Sequence, residues 1–342
     1  MTAALARAAD VLMRDYMALE PDETVLITAD TDSDEAVWQA VLQASLLAGA
    51  NASVLLMPPL PYQGRLADPY LTPAVSAAAL AADVWIDFTF PYLAGSGLHD
   101  QAMEGNHIRY LLGADLNAGG LLRLFGRVDL DRYFAVHHAF DALVNDAVGK
   151  TVRITDNAGT DVSFVLGQRG FSKPRRADKP GTVLIPGQCT LFPDVETVKG
   201  RIEVGAIFHE YYTPLAAPMS LEIDGRIRAI GGGGNERFVA DRALRRAGSD
   251  GEYGYVIHFT HGIHPTARVT GDSFVEDTRA QGNNAIGMGM PWWDPGGGEN
   301  HPDAVLFLHT IDIDGRRVVE DGAIVGPESL VALAAELHPV VG

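Results

Sequence analysis

Five of the chain's eleven histidines fall between positions 258 and 309: His258, His261, His264, His301 and His309. Imidazole titrates near neutrality and is a common ligand for divalent transition metals, so this clustering points to metal binding or proton transfer. The segment HFTHGIHP, from His258 to Pro265, leaves the apolar run Tyr255–Ile257 and breaks at Gly262. The segment ENHPDAVLFLHT, from Glu299 to Thr310, enters a strand from a glycine-rich loop. Within it His301 and Asp303 stand two apart, so on extended backbone both side chains leave the same face. A histidine and a carboxylate on one face, joined by a second histidine from elsewhere, cap one side of an octahedral metal. Three positions then stay open for substrate and for oxygen or water. Such a set suits Fe(II), Mn(II) or Zn(II). Spacing alone does not choose the third ligand, because His258, His261 and His264 are equally close.

Other patterns carry less. His209-Glu210-Tyr211-Tyr212-Thr213 begins like a zincin helix but lacks the second histidine. Gly231–Gly234 follows a strand with no Lys-Ser/Thr after it, which reads as a bulge or turn and not a phosphate loop. Cys189 has no nucleophile signature around it and reads as a buried, inert thiol. His137 and His138 lie on a helix with apolar neighbours, which suits packing. Trp292-Trp293, beside glycine-rich sequence, suit a pocket wall or a core contact.

The elements that must position these residues change character along the chain. The first part alternates helix and strand. Ala3–Leu19 has a helical apolar period, Glu23–Thr28 reads as a buried strand, and Asp34–Leu47 as a helix with Ser33 as its cap and Gly49 as its stop. Ala52–Met57 is a second strand, Pro73–Ala82 a third helix, Val84–Phe90 a strand, and Ile108–Ala114 another. Units at this spacing predict a parallel, doubly wound α/β domain over residues 1–148. From Gly149 the segments are short, β-branched and separated by Gly, Pro and Asp-Gly turns: Lys150–Ile154, Asp161–Leu166, Thr182–Leu184, Arg201–Val204, Ser220–Ile223 and Arg226–Ile230. Helical signal returns at Phe238–Arg246 and from Glu328. A β-rich α+β domain, carrying the metal-binding residues, is therefore expected over 149–342.

Composition narrows the function classes. The 342 residues carry 26 Lys+Arg against 44 Asp+Glu, a formal net charge of −18, which disfavours a nucleic-acid partner. Apolar residues at 47% and charged residues at 20% suit a folded, core-burying protein. A single cysteine excludes a disulfide framework and a multi-cysteine zinc site, and fits a cytoplasmic location. The N-terminal segment has no signal-peptide pattern, and no run approaches the ~18 apolar residues of a membrane span.

At these motifs the sequence resembles the metallo-aminopeptidase T superfamily and, within it, the 2,5-dihydroxypyridine 5,6-dioxygenases. The matching pieces are VLITADTDSDEAV…AGA near the start, GNNAIGMG from Gly282 to Gly289, the H-x3-G-x2-P element at His258, Gly262 and Pro265, and the H-x-D element at His301 and Asp303. The resemblance implies that His258, His301 and Asp303 hold Fe(II), and that the enzyme opens a hydroxylated aromatic or N-heteroaromatic ring with O2. It also implies a homo-oligomer. His261 or His264 would relay protons as catalytic residues. The dioxygenases carry a glutamate and a histidine in the segment before their central strand. Here the stretch FSKPRRADKPGTVLIPG offers neither, and presents Arg175 and Arg176 as groups that could bind a substrate carboxylate. Glu196 resembles the first of the glutamates that the peptidase branch uses for two metals, and Glu196 and Trp292 complete the expected substrate surroundings. The rival reading is a hydrolase, an aminopeptidase or aromatic aminohydrolase, using Zn, Mn or Co to activate water.

Overall fold

The computed structural model describes residues 2–168, 176–291 and 301–337. They divide into two compact units, one holding residues 2–130 and 176–186, the other 131–168, 187–291 and 301–337.

The first unit is built on a five-stranded parallel sheet. Its first four strands are β1 (Thr24–Asp30), β2 (Asn51–Met57), β3 (Val84–Asp87) and β4 (Arg109–Leu112). Helices α1 (Ala3–Asp10, running on as a π-helical turn over Val11–Tyr16), α2 (Glu35–Leu47), α3 (Pro73–Leu80), α4 (Gly97–Glu104) and α5 (Ala118–Gly126) alternate with them. The apolar run of β1 is buried on both faces, as a central parallel strand requires. At the start of α2 the cap is Asp34, which accepts from the Ala36 amide, and not Ser33. Ser33 is drawn away because its hydroxyl donates to the Phe88 carbonyl at 2.8 Å.

Strands β5 (Thr151–Thr155) and β6 (Asp161–Val165) belong to the second unit, whereas β7 (Gly181–Leu184) returns to the first and pairs in parallel with β4. The sheet order is thus β2-β1-β3-β4-β7. Two expectations change here. Thr182–Leu184 completes the parallel sheet instead of joining the β-rich part, since a parallel strand is reached only by a long crossover. The division falls after Leu130, because α6 (Leu130–Asp146) gives its side chains to the second unit: Phe140 stacks on His261 and the His137 ring meets Cys189.

The second unit is a twelve-stranded sheet, antiparallel in all its pairings. Its remaining strands are β8 (Gln188–Leu191), β9 (Lys199–Phe208), β10 (Tyr212–Asp224), β11 (Arg226–Gly232), β12 (Tyr255–Gly262), β13 (Asn284–Gly289), β14 (Asp303–Leu306), β15 (Thr310–Ile313), β16 (Arg316–Glu320) and β17 (Ala323–Ile324). Helices α7 (Glu236–Ala247), α8 (Phe274–Asp277) and α9 (Glu328–Ala335) complete it. Because β9 pairs with both β10 and β14, the run β9-β10-β11-β12-β13-β14 closes into a ring. Among the described residues no helix is long and apolar enough to cross a membrane.

Candidate metal centre

Three neighbouring strands of that ring carry the site. In register, His258 on β12 lies opposite Gly287 on β13, and Gly287 lies opposite Asp303 on β14. Residues directly opposite in an antiparallel sheet share a face, so His258 and Asp303 rise on the same side with a bare glycine between them. His301, two residues before Asp303, joins them from the loop end of β14. The Nε2 atoms of His258 and His301 are 3.1 Å apart. His258 Nε2 stands 3.7 Å from Asp303 Oδ1, and His301 Nε2 stands 4.0 Å from Asp303 Oδ2. Within 4.8 Å of one another, these are the only trio of histidine, cysteine or acidic side chains among the described residues able to hold a metal ion.

The side chains of His258, His301 and Asp303 are 14%, 21% and 5% exposed, so the imidazoles face outward over a buried carboxylate. Burial alone pushes the Asp303 pKa from 3.8 up to about 8. A carboxylate in that position lacks a countercharge, and a bound dication would supply one. Both imidazoles can offer Nε2 lone pairs at 3.1 Å only to a shared cation; without one, one ring donates to the other. Two ligands about 2.1 Å from a metal and at right angles stand about 3 Å apart, so the spacing suits adjacent coordination sites. The position of Gly287 also fits. A Cβ built there would lie 2.3 Å from His258 Nε2 and 2.5 Å from His301 Nε2, inside the space between the rings. The residues present therefore suit a two-histidine, one-carboxylate metal centre.

The wall of the site is aromatic. Phe192, just beyond β8, lies edge-on to His258 at 6.3 Å between ring centroids. Phe208, opposite Asp303 in register, stacks on Phe274 at 4.5 Å. Neither was singled out by sequence; both are the apolar strand-end residues that alternation places on the His258 face.

The other expected site residues go elsewhere. His261 is three residues from His258 on a regular stretch of β12 and points to the opposite face, fully buried. Its Nδ1 meets His309 Nε2 at 3.1 Å and its ring stacks on Phe140. Burial lowers the pKa of both, His309 to about 3, against which a hydrogen bond with the Gly282 backbone acts. The His264 Nδ1 accepts from the backbone N–H groups of Thr266 and Ala267, both at 3.3 Å, so this ring organises the turn that follows β12. Glu196 is exposed on the short turn Val195–Thr197. Arg176 belongs to the first unit, where its guanidinium donates to the Asp15 carbonyl. Arg175 and Trp292 lie outside the described residues.

A curled antiparallel sheet thus gathers two imidazoles and a carboxylate at one point, a donor set that could hold a metal ion. The family model of NicX, 2,5-dihydroxypyridine 5,6-dioxygenase, matches residues 13–326, and the chain belongs to this family of ring-cleaving dioxygenases. The fold is similar to that of the 2,5-dihydroxypyridine dioxygenase from Pseudomonas putida KT2440, with a TM-score of 0.75 and 21% identity over 96% of this chain and 100% of that one. It is also similar to wild-type AmpT from Thermus thermophilus, with a TM-score of 0.64 and 12% identity over 94% and 99% of the two chains. No curated protein sequence matches the chain.

Proposed function

We propose that the enzyme is an Fe(II)-dependent dioxygenase that opens the ring of a hydroxylated pyridine or related aromatic, with His258, His301 and Asp303 as the metal ligands. The observation that carries this reading is the convergence of the three side chains around the bare position at Gly287, in a chain of the NicX family. Fe(II) held there would supply Lewis acidity toward ring hydroxyls and the one-electron chemistry that O2 requires. His258 and His301 keep their Nε2 lone pairs turned to one point, and the buried Asp303 contributes the negative charge. The buried rings of Phe192 and Phe208 give the site apolar flanks that exclude water. His261 and His264 keep β12 and the turn after it in place.

A hydrolase with two metals would need further acidic ligands. Glu196, the expected first of them, is exposed on its turn, and the trio stands alone among the described residues. One metal and oxygen chemistry are therefore the better reading. Self-association is supported by a surface of the first unit: residues 36–64 contain no charged residue and no histidine, and Leu46, Leu47 and Leu56 are exposed there.

The test is purification under nitrogen, metal quantification and an oxygen electrode with 2,5-dihydroxypyridine as substrate. The expected result is about one Fe per chain and oxygen uptake matching substrate loss. Turnover that proceeds equally well without oxygen overturns it in favour of hydrolysis.

A further inference from the structure

Gly287 sits in the middle of β13, whose residues Asn284–Gly289 are all buried. A glycine inside a strand weakens it and needs a reason. The usual one, a left-handed backbone, applies to Gly289 (φ +128°) but not to Gly287, whose φ is not positive. Nor are its nearest neighbours backbone, as at Gly282, where an added Cβ would meet the Gly322 Cα at 2.5 Å. Its closest clashes would be with side-chain atoms alone: His258 Nε2 at 2.3 Å, His258 Cδ2 at 2.5 Å and His301 Nε2 at 2.5 Å. These are the converging tips of the two imidazoles.

We infer that Gly287 is a positioning residue for the metal: its missing side chain is the space in which the ion sits, so position 287 decides whether the two imidazoles can share one. The inference rests on the metal reading proposed above. A methyl group here would stand within about 2–2.5 Å of both nitrogens, close to a metal–nitrogen distance, and so would compete with the ion for the same volume. Accommodation is easy for the fold and ruinous for the site. The clashing atoms are the far ends of two partly exposed side chains, and each ring can swing outward by rotating about χ1 and χ2. Once they do, their lone pairs no longer meet.

Gly287→Ala should therefore fold and lose the metal. Fe(II) and Co(II) titrations of the metal-free protein, followed by calorimetry and by the Co(II) visible spectrum, are expected to show affinity falling at least a hundredfold. The circular dichroism spectrum should stay that of the parent. A second measurement needs no metal. The thermal stability of metal-free Gly287→Ala, His258→Ala/His301→Ala and the triple variant gives a coupling: any loss of stability from the methyl should vanish once both imidazoles are gone. Parent-like Fe(II) and Co(II) affinity in Gly287→Ala, beside a His258→Ala that binds neither, overturns this inference and leaves the metal reading standing. A parent protein that binds neither ion, or a His258→Ala that still binds both, overturns the metal reading and this inference with it. A Gly287→Ala that unfolds equally in both histidine backgrounds shows that the glycine serves the fold, which also overturns it.

Discussion

Each unit of the molecule buries an aspartate completely enough to raise its pKa, and the two are treated in opposite ways. Asp87, at the end of β3, receives five donors: the Thr28 hydroxyl at 2.9 Å, the Thr89 amide at 3.1 Å and hydroxyl at 2.7 Å, the Leu93 amide at 2.8 Å and the Tyr110 hydroxyl at 2.6 Å. Asp303 has the imidazoles of His258 and His301 nearby, at 3.7 and 4.0 Å, and no hydrogen bond to its carboxylate among the described residues. A buried polar group that is saturated with donors holds a structure together, whereas one left without them marks a place where something else must bind. Asp87 also lies where a doubly wound sheet often binds ligands, at the switch between β1 and β3. Here the crevice is stitched by its own chain: Asp30 accepts from the Ser33 amide and hydroxyl and from the Phe90 amide. The candidate metal centre lies in the antiparallel unit instead.

Exchanging the two aspartates' fates would break the contrast, and the largest effect is expected at Asp303. Asp303→Ala should empty the site of metal and lower turnover by roughly a thousandfold or more, while the chain stays folded. Metal analysis of the purified variant checks this; a normally loaded Asp303→Ala would mean that the buried carboxylate is no ligand. Asp87→Ala should do the reverse. Each donor left without a partner costs about 1–3 kcal/mol, so the melting temperature should drop on the order of 10 °C while metal per folded chain is unchanged. Loss of metal with a normal melting temperature would erase the distinction.

The pH response sharpens the same comparison. In the metal-free chain the folded state keeps the Asp303 proton up to about pH 8, while the unfolded state releases it near 3.8. Its contribution to stability is thus fully present below 3.8 and lost as the pH rises to about 8. Metal-free Asp303→Asn should therefore match the parent in acid and exceed it in melting temperature at pH 8. Metal binding must expel that proton, so Co(II) affinity of the parent should climb about tenfold per unit from pH 6 to 8 and then level.

The smallest effect belongs to the histidine pair behind the site. The lowered pKa of His309, about 3, means that its neutral form is favoured in the fold, so this residue costs stability as the pH falls from 6.5 toward 3. His309→Gln should flatten the decline of melting temperature between pH 6.5 and 4 without touching metal content. An unchanged slope would show that the pair tolerates protonation.

Much of this was legible in the sequence because it depends on near neighbours along the chain. The period of two that puts His301 and Asp303 on one face is a property of any extended segment. The apolar runs of β1 and β2, and the helical period of α2, likewise announced a parallel sheet. Other features were not legible. Thr182–Leu184 looks like its β-rich surroundings, yet it completes the first sheet beside Arg109–Leu112. Arg176 looked available for substrate and instead donates to the Asp15 carbonyl. Ser33 looked like a helix cap, but the Phe88 carbonyl, 55 residues away in sequence, took its hydroxyl.

By itself, then, the sequence determined the elements, the acid and the histidines available for chemistry, and the two-residue spacing of His301 and Asp303. The resemblance pointed to His258, but only the tertiary structure shows why it, and not His261, shares their face, and that the glycine between them leaves the gap. The reason is physical. Side-chain direction within one strand is fixed by local backbone geometry, but the register that sets His258 beside Gly287 and Gly287 beside Asp303 is fixed by pairing between strands far apart in sequence, within a ring that closes only when all six strands are in place.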